Sequence, residues 1–248
     1  MTRIAKLFLP IFALLASPAL AQEIVYETVE EVVLDDSGGE RFVEVIPVPV
    51  PKGIAAFGPF RVLDQGHAAL VDVTDERSPR QFAAMLAAFP AIATLEMIEC
   101  PGTFDDRANL RLGRMIHARG MATHVPDGGS VRSGAVELFL AGAQRIADPG
   151  AEFAVHSWAD EDGREPQDYA TNAPENRAYT DYYREMGMSA AQAAAFYAMT
   201  NSVPNADAKW MTAADMASWV PLAAPEHAAT RLAVLVADPV LDLAPSLN

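Results

Sequence analysis

The chain has 248 residues, 51% of them hydrophobic, which is enough to bury one sizeable core. This is not the core-poor composition of a disordered chain, and no period marks a fibrous or repeat protein. A formal charge of −15, from 33 acidic against 18 basic side chains, argues against a nucleic-acid binder and a polybasic membrane-surface protein.

Residues 1–21 read as a secretory signal peptide. Arg3 and Lys6 form a short basic region, Leu7 to Leu15 is apolar, and Ala19-Leu20-Ala21 has the small-x-small pattern of a cleavage site before Gln22. Pro10 and Pro18 break the apolar stretch, and no later segment reaches ~18 consecutive apolar residues. The expected location is the periplasm or the cell exterior, with no stable membrane span after cleavage. Cys100 stands alone, so no internal disulfide forms even in an oxidising compartment.

Residues 22–54 predict an acidic hairpin or leader. Two extended stretches flank the turn sequence Asp35-Asp36-Ser37-Gly38-Gly39, and Pro47, Pro49 and Pro51 make a stiff linker. Over 55–225, strand and helix signals alternate. Residues 68–73 read as a strand, Ser78-Pro79 opens a helix that Pro90 stops, and residues 93–100 are a second strand. A helix then runs to Gly120, followed by a strand over 121–125, a helix over 134–146 and a strand over 151–155. The polar stretch 159–176 is a surface insertion. Helices at 179–186 and 189–200 and a short one near Thr212 precede a tail over 226–248. This rhythm predicts an α/β domain with a mostly parallel sheet, βαβ crossovers and a helical C-terminal part.

In such a fold reactive groups gather at the carboxyl ends of strands. Cys100-Pro101-Gly102-Thr103 leaves a strand and enters a helix, and Gly128-Gly129-Ser130-Val131-Arg132-Ser133-Gly134 is a Gly-rich loop opening another. A serine at such a start gains from the positive end of the helix dipole, and Gly134 lets a carbonyl approach its N–H. His156 ends the following strand on the same rim, placed to act as base for Ser133. An acid of the Asn205-Ala206-Asp207 loop would orient it.

These residues carry a resemblance. Over 68–221 the chain is similar to the Clp protease proteolytic subunit group of the ClpP/crotonase-like fold, and to its secreted or periplasmic relatives above all. Cys100-Pro101-Gly102-Thr103 resembles the family's oxyanion turn, with Thr103 where a second glycine is usual. Residues 131–142 resemble its nucleophile stretch, and Phe153-Ala154-Val155-His156-Ser157-Trp158 its base strand. Residues 205–212 resemble its acid loop. The resemblance implies a serine hydrolase, a peptidase, with Ser133 as nucleophile, His156 as base and Asp207 as the orienting acid. Amides of Gly134 and of Gly102 or Thr103 would form the oxyanion hole. It implies a peptide or other carbonyl substrate, no cofactor or metal, and a homo-oligomer of the kind this fold commonly forms.

Each residue also has a plainer role open to it. Ser133 and Asp207 could be helix caps, and His156 a core histidine satisfied by a carbonyl. Ser130 is the rival nucleophile, and Glu152 and Asp160 are rival acids. No G-x-S-x-G elbow is present. His117 and His124 lack Cys or Glu at zinc-ligand spacing. An inactive binding or assembly module on the same scaffold is the alternative. An acyl-thioester enzyme of this fold is a third reading, one that needs no ordered Ser-His-Asp set.

Overall fold

The domain begins with three short strands, β1 (Ala55–Phe57), β2 (Phe60–Val62) and β3 (His67–Leu70), paired antiparallel. A computed structural model of the chain describes residues 49–160 and 162–224. The signal peptide, the leader up to residue 48 and the tail over 226–248 lie outside the described residues.

Beyond β3 the pairing becomes parallel: β4 (Thr94–Met97), β6 (Ala122–Val125) and β8 (Gln144–Ala147) complete a six-stranded sheet in the order β1-β2-β3-β4-β6-β8. A four-stranded sheet holds β5 (Glu99–Cys100), β7 (Ser130–Arg132), β9 (Glu152–Val155) and β10 (Lys209–Thr212). Its order is β10-β9-β7-β5, with only β10 antiparallel. The fold is therefore mixed α/β with mostly parallel sheets.

The strand expected over 93–100 is divided at Ile98. Its N–H bonds the Leu70 carbonyl at 3.1 Å in one sheet, while its carbonyl accepts from Ser130 at 2.9 Å in the other. One apolar run thus turns the corner between the two sheets.

Helices α1 (Ser78–Ala88) and α2 (Asp106–Arg119) are the expected crossovers. Ser78 is the first helical residue rather than the cap, one position from expectation, and its hydroxyl bonds Asp75 at 3.0 Å. Asp105 caps α2 by accepting from the Ala108 N–H at 2.8 Å, and Gly120 ends it in the left-handed conformation at φ 69°.

The helix expected over 134–146 is corrected. Only α3 (Ala135–Leu140) is helical, and the chain then turns at Gly142 into β8. A Cβ on Gly142 would lie 2.2 Å from Thr123 Oγ1. The backbone therefore passes too close to β6 for a side chain, and the helix stops. All six residues of α3 are buried, because it packs against β6, β7 and β9, and Phe139 meets Phe153 of β9 at 4.9 Å.

The C-terminal part is helical: α4 (Pro174–Glu185), α5 (Ala190–Thr200) and α6 (Ala213–Ala217), with β10 before α6. Tyr182 and Tyr183 of α4 enter the core, where Tyr183 meets Phe196 of α5 at 5.0 Å. The insertion after β9 holds one 3-10 turn, Pro166–Asp168.

Candidate active site

Two neighbouring parallel strands set the geometry. Arg132 of β7 pairs with Ala154 of β9, so Ser133 and His156 leave adjacent strands at their carboxyl ends. The Ser133 N–H donates to the Ala154 carbonyl at 2.8 Å, and its own carbonyl accepts from Val136 at 2.9 Å as α3 begins. Ser133 is the only non-glycine residue with positive φ, at 50°, among the described residues. A serine held in this region by the fold around it is strained, and such strain gathers at reactive sites. Its place between a strand and a helix matches the logic of a nucleophile elbow, without the elbow's sequence.

The Cys100–Thr103 turn lies against this serine. A Cβ on Gly102, whose φ is 133°, would sit 3.0 Å from Ser133 Cβ and 3.4 Å from its Oγ. Thr103 has no left-handed backbone, so a threonine brings no strain there. Gly134 is equally confined: a Cβ would lie 2.6 Å from Thr103 Cγ2. The N–H groups of Gly102, Thr103 and Gly134 donate to no acceptor among the described residues, and of these three residues Thr103 and Gly134 line the cleft. With six residues, α3 is too short to concentrate much dipole at its start, so oxyanion binding rests on these individual amides.

A buried frame fixes the two loops to each other. Asn109 of α2 donates through Nδ2 to the Gly134 carbonyl at 2.5 Å. The Thr74 hydroxyl donates to Asn109 Oδ1 at 3.0 Å, and the Thr74 N–H to the Gly102 carbonyl at 3.0 Å. Sequence reading passed over Thr74 and Asn109, because nothing local distinguishes a framing polar residue from a surface one.

Ser133 and His156 line one cleft of about 180 Å³ and form no hydrogen bond with each other. Catalytic contacts often tighten only around substrate. His156 Nδ1 lies 2.8 Å from the Ser157 carbonyl, which accepts its proton and leaves Nε2 free as the basic nitrogen. Asn205 also lines the cleft. Its Nδ2 donates to the same carbonyl at 2.8 Å and lies 3.2 Å from His156 Nδ1. Asp207 is exposed and outside the cleft, with no hydrogen bond to His156 among the described residues. The side chain beside the imidazole is thus the neutral Asn205, held by its backbone N–H on Glu165 at 2.9 Å.

The rivals have other partners. Ser130 is fully buried, donating to Glu152 Oε1 at 2.8 Å and accepting from Arg132 at 2.7 Å. Arg132 also pairs with Glu99, so its charge is occupied within the four-stranded sheet and its side chain does not line the cleft. Asp160 is held to about 2 by the Tyr169 hydroxyl and by backbone N–H groups of its own loop.

Two further carboxyls line the cleft, neither foreseen. Glu137 of α3 is buried and takes the Tyr183 hydroxyl at 2.7 Å; burial pushes its carboxyl up to about 7. The signal was available, as a lone acid in the apolar run Ala135-Val136-Glu137-Leu138-Phe139-Leu140. Asp106, first residue of α2, is reached by solvent yet hemmed in. Desolvation raises its pKa against a lowering hydrogen bond from Tyr179. Stacked rings also line the cleft: Trp158 on Tyr179 at 6.2 Å and Tyr179 on Tyr197 at 6.0 Å. Trp158 Nε1 donates to the Tyr197 hydroxyl at 2.7 Å, which locks the stack.

No protein-family model and no curated protein matches the chain. It is structurally similar to ClpP1 of Listeria monocytogenes, with 16% identity, TM-score 0.42, and 63% of this chain and 88% of that one covered. It is also similar to the membrane-bound stomatin-specific protease 1510-N bound to a substrate peptide, with 14% identity, TM-score 0.40, and 61% and 73% covered. The geometry of the site itself carries the functional reading.

Proposed function

We propose that the chain is a secreted or periplasmic serine hydrolase acting on peptides. Ser133 Oγ attacks the substrate carbonyl while His156 Nε2 takes its proton, and the negative charge on the former carbonyl oxygen settles on the Thr103 and Gly134 N–H groups. Collapse of the tetrahedral intermediate expels the amine, protonated by His156, and water then releases the acyl group by the reverse proton path. The Ser157 carbonyl fixes the tautomer of His156, and Asn205 holds that carbonyl in place, so orientation is retained without a buried acid. The single observation that carries this reading is the strained Ser133 in the cleft that His156 also lines, beside two cleft-lining residues whose N–H groups have no acceptor among the described residues.

A fluorophosphonate probe should label the wild type, and Ser133→Ala should abolish labelling; a variant that still reacts would overturn the assignment. A binding module without chemistry is the second reading, favoured by the neutral Asn205 beside His156, and it requires an unlabelled wild type.

A further inference from the structure

The side chains around the cleft are unbalanced in charge and in hydrogen-bonding capacity. Asp106 and Glu137 both line it, and no lysine or arginine does. Asn201 adds a third acceptor: its Nδ2 is used on the Tyr197 carbonyl at 2.7 Å, while its buried Oδ1 has no partner among the described residues. Buried acceptors of this kind are costly when left unmade. The Trp158–Tyr179–Tyr197 stack supplies an apolar wall beside them.

We propose that this cleft takes a lysine or arginine side chain next to the scissile bond, its methylene stem along the aromatic wall and its cationic head on Asp106, Glu137 and Asn201. The proposal deepens the hydrolase reading and rests on it. An ammonium or guanidinium brings three or five donors and no acceptor, which complements two carboxyls and the unpartnered Asn201 amide oxygen. A leucine in the same place would desolvate the carboxyls and leave the Asn201 amide oxygen unpaired, and a glutamate would meet like charge. Discrimination therefore comes from the penalty on wrong side chains as much as from attraction to the right one.

Two measurements test it. Fluorogenic peptides with Arg, Lys, Leu or Glu on the acyl side of the cleaved bond should give a kcat/KM at least tenfold higher for Arg and Lys than for Leu. Asp106→Asn, which keeps an acceptor for Tyr179, should reduce the Arg-to-Leu ratio about tenfold. An enzyme that reacts with fluorophosphonate yet cleaves the Leu peptide as well as the Arg peptide would overturn the proposal. The second measurement needs no turnover: calorimetry of Ser133→Ala with benzamidine, against the uncharged benzamide. Binding of benzamidine alone, weakened at least tenfold by adding Asp106→Asn, supports the cation site, whereas equal or absent binding of the two overturns it. Benzamidine binding in a protein that no fluorophosphonate labels supports the cation site and overturns only the hydrolase.

Discussion

Glu137 gives the sharpest quantitative expectation. Its carboxyl has an ordinary pKa of 4.5 in the unfolded chain and one of about 7 in the folded protein, raised by burial. The folded state thus holds this proton more tightly, so the residue's contribution favours folding most below pH 4.5 and declines as pH rises through 7. At about 1.4 kcal/mol per pH unit the decline totals about 3 kcal/mol by pH 8. Glu137→Gln keeps the size of the side chain and an oxygen for the Tyr183 hydroxyl, and it cannot ionise. Urea unfolding at pH 4.5 should give equal stability for the two proteins. At pH 8 the variant should be more stable by about 3 kcal/mol, or roughly 6–12 °C in Tm for a domain of this size. All other titrations are shared and cancel in the difference. Parallel stability curves from pH 5 to 8 would show that Glu137 ionises as freely in the fold as outside it, and the reasoning would fail.

Other perturbations read other parts of the site. Gly134→Ala places a methyl 2.6 Å from Thr103 Cγ2, so one of the two loops must move, at a cost of about 1–3 kcal/mol. Displacing the amide should lower kcat by about 10²–10³ with KM changed far less, and full activity would remove Gly134 from the oxyanion hole. Asn205→Asp sets a carboxylate about 3.2 Å from His156 Nδ1 and favours the imidazolium. The acidic limb of the kcat/KM profile should then move to higher pH by about one unit or more; an unmoved limb would mean that Asn205 does not act through His156.

The legible parts of the fold were those with local signals. Pro79 and Pro90 bound α1 and Gly120 ends α2 in the sequence itself, and the ends of successive strands put Ser133 and His156 on one rim. What escaped was set by distant partners. α3 is buried on all sides and has no polar face to reveal its short length, so the apolar run through Ile146 read as one helix and concealed β8. Lys209–Thr212 is a strand only because β9 lies beside it. The position next to His156 depends on Glu165, forty residues upstream, holding the Asn205 N–H, and no spacing rule within the loop distinguishes Asn205 from Asp207. Thr74 and Asn109 are ordinary polar letters until the loops they tie together are known.

The left-handed backbone at residue 133 sets folding and chemistry against each other at a single position. Glycine enters that region of backbone space without steric penalty, so Ser133→Gly should relieve strain of the order of 1 kcal/mol and melt at a higher temperature, offset in part by the looser unfolded chain glycine brings. Heat-challenge selection that scores only survival would drift toward this inert molecule. Thermal robustness and catalytic competence therefore have to be screened together when this scaffold is engineered.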